Sequence, residues 1–278
     1  MRTIELAPGL RSSVLGFGCA SILGAIDGNT AGRAVEIALD VGVTHFDIAP
    51  SYGFGEAENW LGRTLLGQRD RVVLATKFGI ISTPITRVLN PFKPIVRFFW
   101  GSLRKTTTVL QPSSKLVRMP NRLHAHVVIT PKGMKQSVER SLQRLRTDRL
   151  DWLLLHEPLQ SLVEMDDLAA MASTLRSEGK IRAWGLSFLR GTEGLHAEYF
   201  TQFDALQFNI SPFDDGYTDA IKCRSSAPNI LFSPLRGAPL GQRKESIIKQ
   251  ILQDFPRSVV LCSMFKNEHI RANARACY

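Results

Sequence analysis

The spacing of apolar residues along this chain switches back and forth between two periods. Val14-Leu15-Gly16-Phe17-Gly18 reads as a buried strand; Ala34, Ile37, Ala38 and Val41 then recur at helical spacing until Gly42 stops the run. Val43–Ile48 is a second strand. Glu56–Leu66 is a helix with Trp60, Leu61 and Leu65 on one face, and Val72–Lys77 is a third strand. Order resumes at Pro131, which opens a helix with Val138, Leu142 and Leu145 on one side. Asp151–Leu155 is an apolar strand ending at His156, and Met165–Leu175 is a helix closed by Gly179. Arg182–Ser187, Ala205–Asn209 and Ile230–Ser233 follow as strands, then a helix near Glu245–Leu252, a last strand Ser258–Cys262 and a final helix from about Asn267. Residues 1–12 form a short hairpin turning at Ala7-Pro8-Gly9.

Eight strands, most of them followed by helices, predict an α/β fold: a (β/α)8 TIM barrel with an N-terminal hairpin, residues 1–278 forming a single domain. An open doubly wound sheet is the second arrangement compatible with the pattern. The barrel is favoured because polar residues cluster after the strands all round the series.

The pattern breaks between Ile80 and about Val128, after the third barrel strand, where five of the 14 prolines fall and no period is visible. Charge marks the same region. Between Arg71 and Val138 there are 12 Lys or Arg residues and no Asp or Glu, so the remaining 23 basic and 25 acidic residues leave the rest of the chain near neutral despite a net charge of +10. The basic character belongs to one long insert, about 80–128, and global nucleic-acid binding loses its support. No apolar run is long enough to span a bilayer. The N-terminus has no basic segment followed by an apolar stretch, and Cys19, Cys223, Cys262 and Cys277 form no metal-ligand or redox spacing. A cytoplasmic protein with reduced thiols and no metal site is expected.

The strand ends carry the candidate chemistry. His45-Phe46-Asp47-Ile48-Ala49-Pro50-Ser51-Tyr52-Gly53 leaves its strand with a carboxylate and, five residues later, a phenol; Lys77 and His156 end the next two strands. Loops after barrel strands converge on one face, so Asp47, Tyr52, Lys77 and His156 are expected to meet. Carbonyl reduction needs a hydride donor and a proton donor. A phenol is a poor acid near neutrality unless an ammonium brings its pKa toward the working range. A carboxylate beside that ammonium keeps it charged, and an imidazole polarises the carbonyl oxygen. Singly, each residue has an ordinary explanation: a buried ion pair, a loop tyrosine, a core histidine. The joint placement of all four at strand ends does not.

These residues sit in longer motifs. Asp47-Ile48-Ala49-Pro50-Ser51-Tyr52-Gly53 with Gly55-Glu56-Ala57-Glu58 and Leu61-Gly62, the lysine strand Val73-Leu74-Ala75-Thr76-Lys77, the block Ser137-Val138-Glu139 through Leu155-His156, and Gly179-Lys180-Ile181-Arg182-Ala183-Trp184-Gly185-Leu186-Ser187 together resemble the aldo-keto reductase superfamily from about Gly16 to Asn273. The resemblance implies an NAD(P)H-dependent oxidoreductase that reduces an aldehyde or ketone to an alcohol, with Tyr52 as proton donor supported by Lys77, Asp47 and His156. It implies NADP (as NADPH) bound without a Rossmann fold, with NAD as the second candidate. The carboxamide-binding positions map to Ser187 and Gln207. The pyrophosphate loop maps to Ser233, Leu235 and Gly237, and the adenosine-phosphate segment to Ser263, Lys266, His269 and Asn273. Backbone amides around Ser263–Asn267 suit a phosphate.

Three departures from the family pattern stand out. Phe188 replaces an asparagine that bonds the nicotinamide amide, so weakened cofactor binding is expected. Ala272 stands where a glutamate lies near the adenine, and the chain stops at Tyr278 where relatives continue into a segment over the substrate. The basic insert follows Lys77 directly, and its interleaved aromatics and cations (Phe92 through Lys105) are expected to form a lid over the pocket, with contact to an anionic surface as the other reading. A non-catalytic, cofactor-binding regulatory protein that retains the barrel is the alternative to the enzyme. The substrate is a small-molecule carbonyl compound whose identity, like the oligomeric state, the sequence leaves open.

Overall fold

The computed structural model describes residues 1–83, 124–162 and 164–278. An antiparallel hairpin, β1 (Thr3–Ala7) and β2 (Leu10–Ser13), comes first. Its buried Leu6 and Leu10 pack with Trp152, Val73 and Val259 and so close one end of the barrel. The barrel strands are β3 (Leu15–Gly18), β4 (His45–Asp47), β5 (Val73–Phe78), β8 (Leu150–His156), β9 (Ile181–Phe188), β10 (Ala205–Asn209), β11 (Asn229–Phe232) and β12 (Ser258–Cys262). All are paired in parallel, and β12 returns to β3 to close the ring. The strand β6 (Ile80–Ser82) pairs antiparallel with β7 (His124–His126) outside the barrel.

Helices α1 (Gly28–Asp40), α2 (Ala57–Thr64), α3 (Pro131–Leu145), α4 (Met165–Ser177), α5 (Tyr217–Arg224), α6 (Lys244–Asp254) and α7 (Asn267–Arg275) form the outer layer. Their starts carry local signals. Asp27 caps α1 by accepting from the Thr30 N–H at 2.9 Å, and Thr130 caps α3 by accepting from Gly133 N–H at 3.1 Å, with Pro131 next to it in the first turn.

Strand parity decides the core. On β5, Val73 and Ala75 face the barrel interior while Leu74 faces the helices; on β8, Trp152 and Leu154 face in while Leu153 and Leu155 face out. Continuing that alternation to the strand ends puts Lys77 and His156 inside, at the rim.

One stated expectation is corrected here, together with one element that the sequence pattern did not foresee. The stretch from Ile80 to Val128 is not featureless throughout, because its ends form the β6–β7 pair. Ser82 Oγ donates to Ser51 O at 3.0 Å and Val127 N–H to Gly79 O at 2.8 Å, so this hairpin is rooted on the active-site rim. The lid expected of Phe92 through Lys105 lies outside the described residues. The second correction is α5, which has Tyr217 as its one buried residue and therefore no apolar period to read.

Behind the lysine strand, the buried Glu58 of α2 ties three elements together. Its carboxylate accepts from Thr76 Oγ1 at 2.7 Å, Ser141 Oγ at 2.8 Å and the Arg144 guanidinium at 3.3 Å. Glu58→Ala leaves two buried hydroxyls without their acceptor and is expected to cost about 3 kcal/mol of stability. Urea unfolding checks this as a lowered midpoint at unchanged slope.

Candidate active site

The polar residues at the rim are bonded to one another across the barrel. Ser187 Oγ on β9 donates to Gln207 Oε1 on β10 at 2.7 Å, and Gln207 Nε2 donates to Asp47 Oδ2 on β4 at 2.7 Å. Asp47 Oδ1 in turn accepts from Lys77 Nζ of β5, which also reaches Ile48 O at 3.3 Å. Lys77 is 2% exposed, so its ammonium has exchanged water for this fixed set of acceptors. Burial alone would lower its pKa; Asp47, and then Tyr52, more than offset that, and the ammonium is held above its usual range.

Tyr52 reaches the same point from a short 3-10 turn, Tyr52–Gly55, that follows the Pro50-Ser51 exit of β4. Gly53 in that turn has φ 58°, and a Cβ there would lie 2.7 Å from Ile22 O, so no side chain fits. The Lys77 Nζ lies 5.4 Å from the centre of the Tyr52 ring, and His156 meets that ring edge-on with centroids 6.2 Å apart. Gly79, with φ 133°, lets the chain leaving β5 pass close to His156: a Cβ there would lie 2.9 Å from the His156 carbonyl oxygen.

The electrostatics correct one expectation. The Tyr52 phenol is not brought down toward neutrality but pushed up to about 12, because burial outweighs the lowering by Lys77. His156 is driven well below the usual imidazole value by burial, with Lys77, His126 and His124 adding to the effect. It is therefore a neutral ring, and its Nδ1 finds no partner among the described residues. Cys262 opens onto the same cavity, but burial pushes its thiol up to about 12, which leaves no thiolate for chemistry.

All four groups line one cavity of about 470 Å³. Of the cofactor positions expected from sequence, Ser187, Gln207, Ser233, Leu235, Ser263, His269 and Asn273 line it as well. Gly237 and Lys266 do not. Gly237 sits in a turn beside Phe213, and Lys266 is exposed at the residue preceding α7. Arg271 is also turned away, donating to Asn267 Oδ1 at 2.8 Å. The cations that do line the cavity are Arg236, held by Asp214 at 3.0 and 2.6 Å, and Lys244 at the start of α6. Sequence reasoning had included Arg236 in the loop Ser233–Gly237 without giving it a role of its own, and it missed Lys244, seven residues beyond that loop. Phe188 faces the other way from Ser187: it is 3% exposed and stacks on Phe200 and Phe208 at 5.4 and 5.7 Å, outside the cavity.

Residues 14–244 match the family model described as the aldo/keto reductase family. The chain belongs to this family. It is 32% identical over 185 residues to the aldo-keto reductase YhdN of Bacillus subtilis, a match covering 64% of this chain and 44% of that protein. It is 31% identical over 185 residues to a D-threo-aldose 1-dehydrogenase of a Pseudomonas species, covering 65% of this chain and 49% of that one. The chain thus spans about half the length of these relatives. An aldo-keto reductase of Bacillus halodurans, solved in its holo form, superimposes with a TM-score of 0.70 at 22% identity, covering 99% of this chain and 90% of that one. One from Klebsiella pneumoniae, solved with NADP and acetate, gives 0.63 at 19% identity and covers 99% and 89%. The fold is therefore the (β/α)8 barrel of these neighbours. No helix among the described residues is long and apolar enough to cross a membrane.

Proposed function

We propose that the chain is an NAD(P)H-dependent oxidoreductase that reduces a small aldehyde or ketone to an alcohol, with Tyr52 as the general acid. One observation carries this reading. A buried lysine ammonium stands between a carboxylate and a phenol, with a neutral imidazole across the phenol ring, all opening onto one cavity.

The cavity suits a nicotinamide dinucleotide. At one end Ser187 and Gln207 present a hydroxyl and an amide beside Asp47; the remaining wall carries Arg236, Lys244 and His269. The first turn of α7 has no side-chain cap, so its amides are open to a phosphate. When bound, the reduced nicotinamide supplies the hydride. Tyr52 gives its proton to the carbonyl oxygen, and the phenolate left behind is stabilised by the Lys77 ammonium. Asp47 keeps Lys77 charged and fixed. His156, neutral, donates through Nε2 to the carbonyl oxygen and polarises it. The high pKa of Tyr52 is compatible with this role, since an acid must hold its proton until the substrate arrives. Phe188 lends no support to a non-catalytic reading, because its ring lies outside the cavity.

The test is NADPH-dependent reduction of short aldehydes, followed as loss of nicotinamide absorbance. Cofactor choice follows from the cations. Arg236 and Lys244 favour NADPH over NADH by roughly tenfold in Kd at low salt, a margin that shrinks as salt screens the extra phosphate. Parallel fluorescence titrations with both cofactors check this. NADH binding at least as tight as NADPH at low salt refutes the assignment.

A further inference from the structure

Glu157, the residue after His156, has no task in the reaction as described, yet it lines the same cavity as Tyr52, Lys77 and His156. Its backbone is unusual: φ is 45°, in the left-handed region where side-chain-bearing residues are uncommon, and its N–H donates to Ser187 O at 2.7 Å. The residue is partly buried, and among the described residues its carboxylate makes no hydrogen bond or ion pair. Burial raises its pKa, against a lowering by the neighbouring His126 and Lys77 side chains; its own charge in turn reaches the Tyr52 phenol. A partly buried acceptor with no donor among the described residues therefore stands beside the groups that hold the reacting carbonyl.

We propose that Glu157 discriminates between substrates: its carboxylate accepts hydrogen bonds from hydroxyl groups next to the substrate carbonyl and repels carboxylates at the same place. The site then prefers neutral hydroxylated aldehydes or ketones to anionic carbonyl compounds. This rests on the reductase reading above. Hydroxyl donors fit better than an ammonium group, because the Lys77 ammonium already stands near the carboxylate and a further cation would meet it. Arg236 and Lys244 do not reverse the preference. In that reading both are engaged by the cofactor phosphates rather than by the substrate. A site built to pair with substrate hydroxyls disfavours analogues lacking them, since the bound analogue covers the partly buried acceptor without giving it a donor.

The experiment compares kcat/KM for glyceraldehyde, propanal and succinic semialdehyde with NADPH in wild type, Glu157→Gln and Glu157→Gly. Glycine adopts a φ of 45° freely and glutamine is isosteric, so both variants are compatible with the native backbone. In Glu157→Gly the glyceraldehyde-to-propanal ratio is expected to fall about tenfold, mainly through KM. In Glu157→Gln the succinic semialdehyde-to-propanal ratio is expected to rise about tenfold as the like-charge repulsion is removed. Both ratios staying within about twofold of wild type, in variants that melt cooperatively, overturns the proposal. If wild type reduces none of the three although it binds NADPH, the reductase reading fails instead. Glu157 is then judged by calorimetric binding of erythritol and of succinate to the NADP-loaded protein. A preference for erythritol that disappears in Glu157→Gln supports the assignment, and equal behaviour of the two proteins overturns it.

Discussion

Tyr52→Phe is expected to lower kcat for carbonyl reduction about a thousandfold, within the range a positioned general acid contributes, while cofactor affinity stays close to wild type. The change removes one oxygen atom. The ring remains between Lys77 and His156, and Lys77, which loses the phenol oxygen as a partner, keeps Asp47 and Ile48 O. Direction of reaction sharpens the test. The Tyr52 pKa is raised to about 12, so the protonated form needed for reduction persists throughout the neutral and alkaline range, and reduction has no alkaline limb from this group up to that region. Alcohol oxidation needs the phenolate, the minor form below the pKa, so its rate is expected to rise roughly tenfold per pH unit where chemistry limits turnover. That rise should vanish in Tyr52→Phe. A variant that keeps wild-type turnover removes Tyr52 from the acid role.

Lys77→Met has the second-largest expected effect, and it acts on two quantities at once. The phenolate formed in the reaction loses its neighbouring cation, and kcat is expected to drop by about a hundredfold or more. The Asp47 carboxylate, 4% exposed, loses the ammonium that compensates it, keeping among the described residues only the Gln207 amide, and stability is expected to fall by roughly 3–5 kcal/mol. The double variant Asp47→Asn with Lys77→Met separates the two, because it removes both buried charges together. Melting should recover much of the loss in the double variant, whereas turnover should not. Recovery of turnover along with stability would mean that Lys77 serves the fold alone.

Most of the barrel was legible because a strand buried on both faces leaves a short continuous apolar run, whereas a helix with one apolar stripe repeats every three to four residues. β5, β8, β9 and α3 all fall within a residue or two of where their patterns put them. The period of two also held information about Phe188. Neighbours on a strand face opposite ways, so if Ser187 points into the barrel, Phe188 points out of it. Reading the two as one binding pair set that alternation aside. α5 was hidden for the opposite reason, since a helix with a single buried residue leaves no period at all. Glu157 was hidden in a different way: a lone carboxylate between a histidine and a proline carries no pattern, and only its place on the cavity wall singles it out.

The sequence by itself determined the order of the barrel strands and of most helices, the four residue types at the strand ends and the local basicity of the insert, because each is written in near neighbours. The tertiary structure decided the rest. Which cations face the cavity depends on how the turns after β11 and β12 lie, and these bring in Lys244 and Arg236 while turning Lys266 and Arg271 away. The sign of the shift on Tyr52 depends on the balance between burial and one ammonium, two large opposing contributions set by atoms more than twenty residues apart in the chain. Neither quantity is local. A hydrophobic period records which face of an element is covered, whereas a pKa records everything that covers it.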